Sequence, residues 1–179
     1  MITLISGTNR ADSNTRKVVT WLERVYRDID AETAVLDLKD LPGDLLSPDA
    51  YAQKPKAFQP FTDQVLASDG LVVVTPEYNG GFPGVLKLFI DMLPFPESFD
   101  GRPVAFVGLS AGTNGALRPV EQLQQIFGYR NAYIYPRRVF IPGVFKVLDD
   151  QGNLTDSDLA DRLLKQSEGY LSFVRKVAS

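Results

Sequence analysis

The chain contains no cysteine and no histidine. Without thiols there is no disulfide, no thiolate metal site, no iron–sulfur cluster and no cysteine nucleophile. Without imidazole the commonest general base and metal ligand is missing, and a Ser-His-Asp triad is impossible. No metal site is expected. Few of the remaining side chains do covalent chemistry near neutral pH, so an enzymatic reaction here calls for a cofactor to carry it. Basic runs are also missing. The pair Arg137-Arg138 is too small to count, and the net charge is −3 with a pI near 5.0. That balance speaks against nucleic acid, which needs a concentrated cationic surface. No stretch approaches the roughly 20 apolar residues of a membrane helix. Met1 to Gly7 is too short for a signal peptide and lacks a basic region. The expectation is a cytoplasmic protein that engages neither membrane nor nucleic acid.

What is present is ordinary globular material: 44% hydrophobic and 23% charged over 179 residues. One domain spanning residues 1–179 is expected. Strand and helix signals alternate from end to end. Ile2 to Ile5 is a short apolar run stopped by Ser6-Gly7. A helical pattern follows, with Val18, Leu22, Val25 and Ile29 on one face and Ser13 or Asn14 as its cap. Thr33 to Leu38 reads as a second strand. Leu41 to Pro60 is irregular, a candidate lid or dimer arm, and a short helical face follows at Phe61, Val65 and Leu66. Leu71 to Thr75 is continuously apolar up to its threonine, as a strand buried on both faces should be. Pro83 stands at the first position of a helix carrying Val85, Leu86, Phe89, Ile90 and Leu93. Pro103 to Leu109 is a fourth strand. A helix with Ala116, Leu117, Val120, Leu123 and Phe127 follows, ended by Gly128. Asn131 to Tyr135 is a fifth short strand, and Thr155 to Asp158 opens a last helix with Leu159, Leu163, Tyr170, Leu171 and Val174 on its apolar face. Five strands separated by helices imply right-handed crossovers and a parallel sheet covered on both faces. Ligands of such sheets sit beyond the carboxyl ends of the strands.

Three loops occupy those ends, and all three are rich in Gly, Ser, Thr and Asn. The first, Ser6 to Thr15, leads into a helix N-terminus, where free amides and the helix dipole favour an anion. Hydroxyls of Thr8, Ser13 and Thr15, the Asn14 amide and the Arg10 fork are suited to a phosphate. Neither the GxGxxG nor the Walker A spacing occurs, and a monophosphate suits the loop better than a pyrophosphate. An ordinary loop with Ser13 as helix cap explains any one of these residues equally well. The second loop, Pro76 to Gly84, holds two adjacent glycines that permit positive φ and close approach of a flat ligand. Tyr78 can stack on a ring, and Asn79 can bond ring nitrogens and carbonyls; a plain glycine-rich turn is the alternative. The third, Ser110 to Gly115, carries the weakest signal and reads nearly as well as a tight turn before a helix.

At these loops the sequence resembles the NADPH-dependent FMN reductase family of the flavodoxin-like superfamily. The segment SGTNRADSNT is similar to that family's phosphate loop, and PEYNGGFPGVLKLFID to its most specific signature. The resemblance implies a flavodoxin-like three-layer sandwich, with a five-stranded parallel sheet in the order 2-1-3-4-5 and helices on both faces. It implies FMN as cofactor and NADPH or NADH as co-substrate. A small-molecule acceptor such as a quinone, a flavin or an azo dye would then be reduced in a ping-pong cycle. The flavin, rather than any side chain, would be catalytic. By the same resemblance Thr8, Arg10, Ser13, Asn14 and Thr15 hold the FMN phosphate, and Pro76, Glu77, Tyr78, Asn79 and Gly80 line the isoalloxazine. Ser110 and Gly112 supply the last flavin-facing loop. Lys87 and Asp91 also match the signature and support the helix or an oligomer contact. A homodimer or homotetramer is implied, with Phe95 and Phe99 as candidate interface residues. The chain departs from the family pattern at Leu88-Phe89 and at Met92-Leu93 followed by Pro94-Phe95-Pro96, which bears on the dimer and on the substrate pocket. Two other readings are a flavodoxin-like one-electron carrier and a flavin-free binding or regulatory relative. The modest net charge and the PEYNG loop count against the first, and the hydroxyl-rich first loop against the second.

Overall fold

The computed structural model describes residues 1–177. Its elements follow the expected alternation: β1 (Ile2–Ser6), α1 (Asn14–Asp28), β2 (Thr33–Asp37), α2 (Gln59–Leu66), β3 (Gly70–Pro76), α3 (Gly84–Met92), β4 (Pro103–Leu109), α4 (Leu117–Tyr129), β5 (Tyr133–Ile134), β6 (Val139–Ile141), α5 (Val144–Val147) and α6 (Ser157–Val177). All strand pairs are parallel, and the path runs β2-β1-β3-β4-β5 with β6 also on β4. This is the flavodoxin-like α/β order.

The last edge position differs from the expected single strand. Tyr133–Ile134 pairs with the start of β4, and Val139–Ile141 pairs with its end. Pro136 lies in the gap. It has no amide to give to the ladder, so it divides the strand in two. The carboxyl half, β6, carries the edge of the sheet up to the loops. At the other end of α4 the expected glycine stop is also displaced: the helix runs through Gly128 to Tyr129, and Asn131 takes the left-handed conformation at φ 59°.

Alternation along the central strands builds two cores. Ile5, Leu71, Val73, Val104 and Phe106 face α2, α3 and α4, where Val65, Phe89, Ile90, Leu123 and Phe127 meet them. Ile2, Leu4, Val72, Val74, Ala105 and Val107 face α1 and α6, against Val18, Leu22, Leu163, Tyr170 and Val174. A sheet buried on both faces needs apolar residues at every central position, which is why β3 and β4 carry no alternation. Residues 41–60, irregular in sequence, fold into 3₁₀ turns at Gly43–Leu46, Pro48–Tyr51 and Lys56–Phe58, which bury Leu45, Ala50 and Phe58 in the first core. Phe99 is buried as well and packs on Phe127 at 4.7 Å, so of the two candidate interface phenylalanines only Phe95 is exposed. No helix among the described residues is long and apolar enough to cross a membrane.

Candidate active site

The first loop leaves β1 under tight constraint. The Gly7 amide donates to the Val74 carbonyl at 2.9 Å, and a Cβ at Gly7 would stand 2.7 Å from that oxygen, so only glycine fits the approach. Thr8 follows and is fully buried. Its hydroxyl lies 2.8 Å from the Tyr78 hydroxyl and accepts the Arg10 amide at 3.3 Å. Ser13 is the N-cap of α1: its Oγ accepts the Arg16 amide at 3.1 Å. Asn14 and Thr15 form the first turn, whose amides have no intrahelical acceptor. Arg10 is exposed, with its guanidinium 6.0 Å from the centre of the Tyr78 ring. Arg16, by contrast, is taken up by Glu23 at 3.3 Å and Asp37 at 3.6 Å. Of these two cations, Arg10 is the one facing the loop without a carboxylate.

The second loop is built on a two-residue turn. Tyr78 and Gly81 exchange backbone hydrogen bonds of 2.8 and 3.0 Å, and the residues between them, Asn79 and Gly80, have φ of 52° and 79°. Positive φ at both central positions is the primed turn that favours Asn-Gly. The expectation that the two glycines supply the positive φ is therefore corrected: Asn79 and Gly80 do so, and Gly81 does not. The Glu77 amide reaches the Leu109 carbonyl at 3.2 Å, and its half-buried carboxylate lies 4.0 Å from Arg118. In the third loop Ser110 Oγ donates to the Gly112 carbonyl at 3.1 Å. The amides of Gly143 and Val144 donate to the Gly112 and Ser110 carbonyls, both at 3.0 Å, which pins α5 to this loop.

These loops border an open cleft of mixed polarity, about 310 Å³, at the carboxyl ends of the strands, lined by residues 10–15, 76–78 and 109–111 and by Val144 and Phe145. Arg10, Ser13, Asn14, Thr15, Pro76, Glu77, Tyr78 and Ser110 thus meet in one place, as the sequence suggested. Thr8, Asn79, Gly80 and Gly112 do not line it. Thr8 lies beneath, holding Tyr78; Asn79 and Gly80 shape the turn that presents that tyrosine; Gly112 anchors α5. A second cleft, of about 410 Å³, opens beside the first and is largely apolar. Tyr78 borders both.

The family model of the NADPH-dependent FMN reductases matches residues 1–146. The chain belongs to this family. It is 33% identical over 147 residues to an NAD(P)H-dependent FMN reductase of Pseudomonas aeruginosa, across 79% of this chain and 80% of that one. A 2-hydroxy-1,4-benzoquinone reductase from a Burkholderia species is 29% identical over 178 residues, covering 97% and 96% of the two chains. Among solved structures, FerB of Paracoccus denitrificans, an NAD(P)H:(acceptor) oxidoreductase, superposes with a TM-score of 0.83 at 24% identity, over 98% of this chain and 97% of that one, a likeness of fold. As a member of the family, the protein is an FMN-dependent oxidoreductase that takes electrons from NAD(P)H.

The first cleft fits that cofactor by its own chemistry. A helix N-terminus with free amides and an arginine without a carboxylate partner suits a terminal phosphate, and the Tyr78 ring gives an aromatic surface to a flat group. Val144 and Phe145 were not legible as site residues. Phe145 is 74% exposed at the cleft edge although large and apolar, and the one local hint was Pro142-Gly143, a turn signal after a strand.

Proposed function

We propose that the protein is an NAD(P)H:quinone oxidoreductase working by a ping-pong cycle, in which NAD(P)H, a proton and a quinone become NAD(P)⁺ and a hydroquinone. The observation that carries this reading is the meeting of an anion-binding helix start with the Tyr78 turn in one cleft. Bound FMN supplies the hydride relay that no side chain of this chain provides. Arg10, Ser13, Asn14 and Thr15 hold the phosphate. Pro76, Glu77 and Tyr78 border the ring, with Asn79 and Gly80 setting the angle of the tyrosine. Ser110 and Gly112 close the third side and tie Phe145 to the cleft edge. Thr8 acts indirectly, by fixing the Tyr78 hydroxyl. Nicotinamide and quinone then use the same open side in turn, each leaving before the next enters. Relatives named as quinone reductases support the acceptor class. A homodimer in the cytoplasm, where NAD(P)H is at hand, completes the proposal.

An anaerobic visible spectrum tests it. Purified protein mixed with FMN shows a protein-bound flavin spectrum, NADPH or NADH bleaches it, and a benzoquinone restores it in a separate mixing step. Parallel initial-rate lines follow in steady state. Bound flavin that neither nucleotide bleaches would point to a one-electron carrier, and intersecting rate lines would exclude the ping-pong order.

A further inference from the structure

Tyr78 stands between two clefts that differ in lining. The first is the cofactor cleft, of mixed polarity. The second, about 410 Å³, has walls of Leu38, Leu41, Leu45, Leu46, Val85 and Leu88, with Asn9 and Lys39 as its polar members besides the tyrosine. Its size falls within the range of small-molecule sites. Its walls are fixed: Leu38 and Leu45 are fully buried, the Asp37 carboxylate accepts the Lys39 amide at 3.1 Å, and the Leu45 amide donates to the Pro42 carbonyl at 3.2 Å. The partition is fixed too, because the Tyr78 hydroxyl lies 2.8 Å from Thr8 Oγ1. Leu46, however, is 80% exposed at this cleft and contributes nothing to the core. An apolar chamber that shares a wall with a redox site suits a substrate whose reacting ring and apolar substituent must be held separately.

We propose that this cleft is a subsite for the apolar side chain, alkyl or prenyl, of a quinone acceptor whose ring is reduced on the other side of Tyr78. The inference rests on the quinone reductase reading above and adds the substrate class: quinones with a hydrocarbon tail, favoured over quinones without one. Each methylene buried is worth roughly fourfold in affinity, so even a few carbons in the chamber produce a measurable preference.

The test uses FMN-loaded protein without NAD(P)H, so that binding is read apart from turnover. Calorimetric titration compares 2,3-dimethoxy-5-methyl-1,4-benzoquinone with the same ring carrying a decyl chain. The expected result is binding at least tenfold tighter for the decyl compound. Leu46→Asp and Leu88→Gln should each bring the ratio of the two affinities towards one. Leu46 is exposed, so its variant is expected to fold, and circular dichroism checks both. In steady state the same variants raise KM for the decyl quinone and leave its kcat in place. Equal affinity for the two quinones in the wild type, or a preference that survives both substitutions, would overturn the proposal. So would a Leu46→Asp protein that changes its oligomeric state by light scattering while keeping the preference, since the groove would then belong to a contact between copies. A binding difference that is present while neither quinone turns over would sink the reductase reading and leave the ligand class of the cleft standing.

Discussion

The two ends of the central sheet are built from the same strands and differ in how their side chains are used. At the amino end, side chains distant in sequence tie the starts of the strands together, although Gln64 Nε2, Ser98 Oγ and Arg130 Nε stay buried without a hydrogen-bond partner there. The Tyr170 hydroxyl bonds the Leu71 carbonyl at 2.8 Å and the Pro103 carbonyl at 2.9 Å. The Arg102 guanidinium donates to the Ser98 carbonyl at 2.7 Å and to the carbonyls of Ser68, Leu66 and Glu97. Burial lowers the Arg102 pKa and pushes those of the Tyr26 and Tyr170 phenols far up. At the carboxyl end, Ser13 caps only the Arg16 amide of the first turn of α1, the Arg10 guanidinium has no carboxylate partner among the described residues, and the large Phe145 ring is exposed. Polar groups left without partners are costly when buried and useful when a ligand supplies the partner. The contrast puts the long-range packing bonds at one end and the proposed cofactor cleft at the other.

Substitutions should therefore sort by end. The largest effect is expected from Phe99→Ala, which opens a cavity at the amino end against Phe127. It should cost about 3–5 kcal/mol in urea unfolding and leave the FMN affinity of the folded protein unchanged. Arg10→Ala should do the reverse. FMN binding weakens by about 1.5–3 kcal/mol for the lost charge-assisted contact, riboflavin binding changes little, and the unfolding midpoint stays put. Equal losses for the two flavins would place the phosphate elsewhere.

Tyr170→Phe belongs to the amino end again and should destabilise by about 1–3 kcal/mol, since two buried carbonyls lose their donor. The same tyrosine predicts a pH dependence. Its folded pKa is raised by burial, as is that of Tyr26. The stability this contributes is therefore fully present below the ordinary phenol value of about 10 and is lost progressively as pH rises from there through the raised folded value. A spectrophotometric titration should show these two phenols ionising only as the protein unfolds. The smallest effect, about 1 kcal/mol, is expected for Ser13→Ala, which removes the cap of α1. Ser13 both caps α1 and lines the cofactor cleft, so the thermal midpoint and the FMN affinity should fall together. A variant that lost only one of the two would separate the capping role from the binding role.

Much of this was legible in the chain itself. Apolar runs at 2–5, 71–74 and 104–107 became β1, β3 and β4 because strands buried on both faces must be apolar at every step. Ser13 became a cap because its short hydroxyl side chain accepts a free amide at a helix start. Asn-Gly at 79–80 became a primed turn because those residues tolerate positive φ. The PEYNG segment and the first loop pointed to the right family for the same reason: their chemistry is local, written in consecutive residues.

Only the tertiary structure decided what depends on residues far apart in sequence. Nothing local revealed that Thr8 would be fully buried with its hydroxyl 2.8 Å from that of a tyrosine 70 positions away. Nothing local brought Phe145 to the edge of the cleft, because its place depends on β6 pairing with the end of β4 and on two amides meeting the third loop. Residues 41–60 read as irregular, a lid or a dimer arm, and only packing shows Leu45, Ala50 and Phe58 entering the core. Sequence alone determined the central strands, the long helices, the family and the class of chemistry, since periodicity, caps and turn residues act over a few bonds. The split of the last strand and the short helix α5 were not in it. Which side chains face a ligand, which merely hold their neighbours, and that two clefts share one tyrosine were set by close packing, which joins residues that the chain keeps apart.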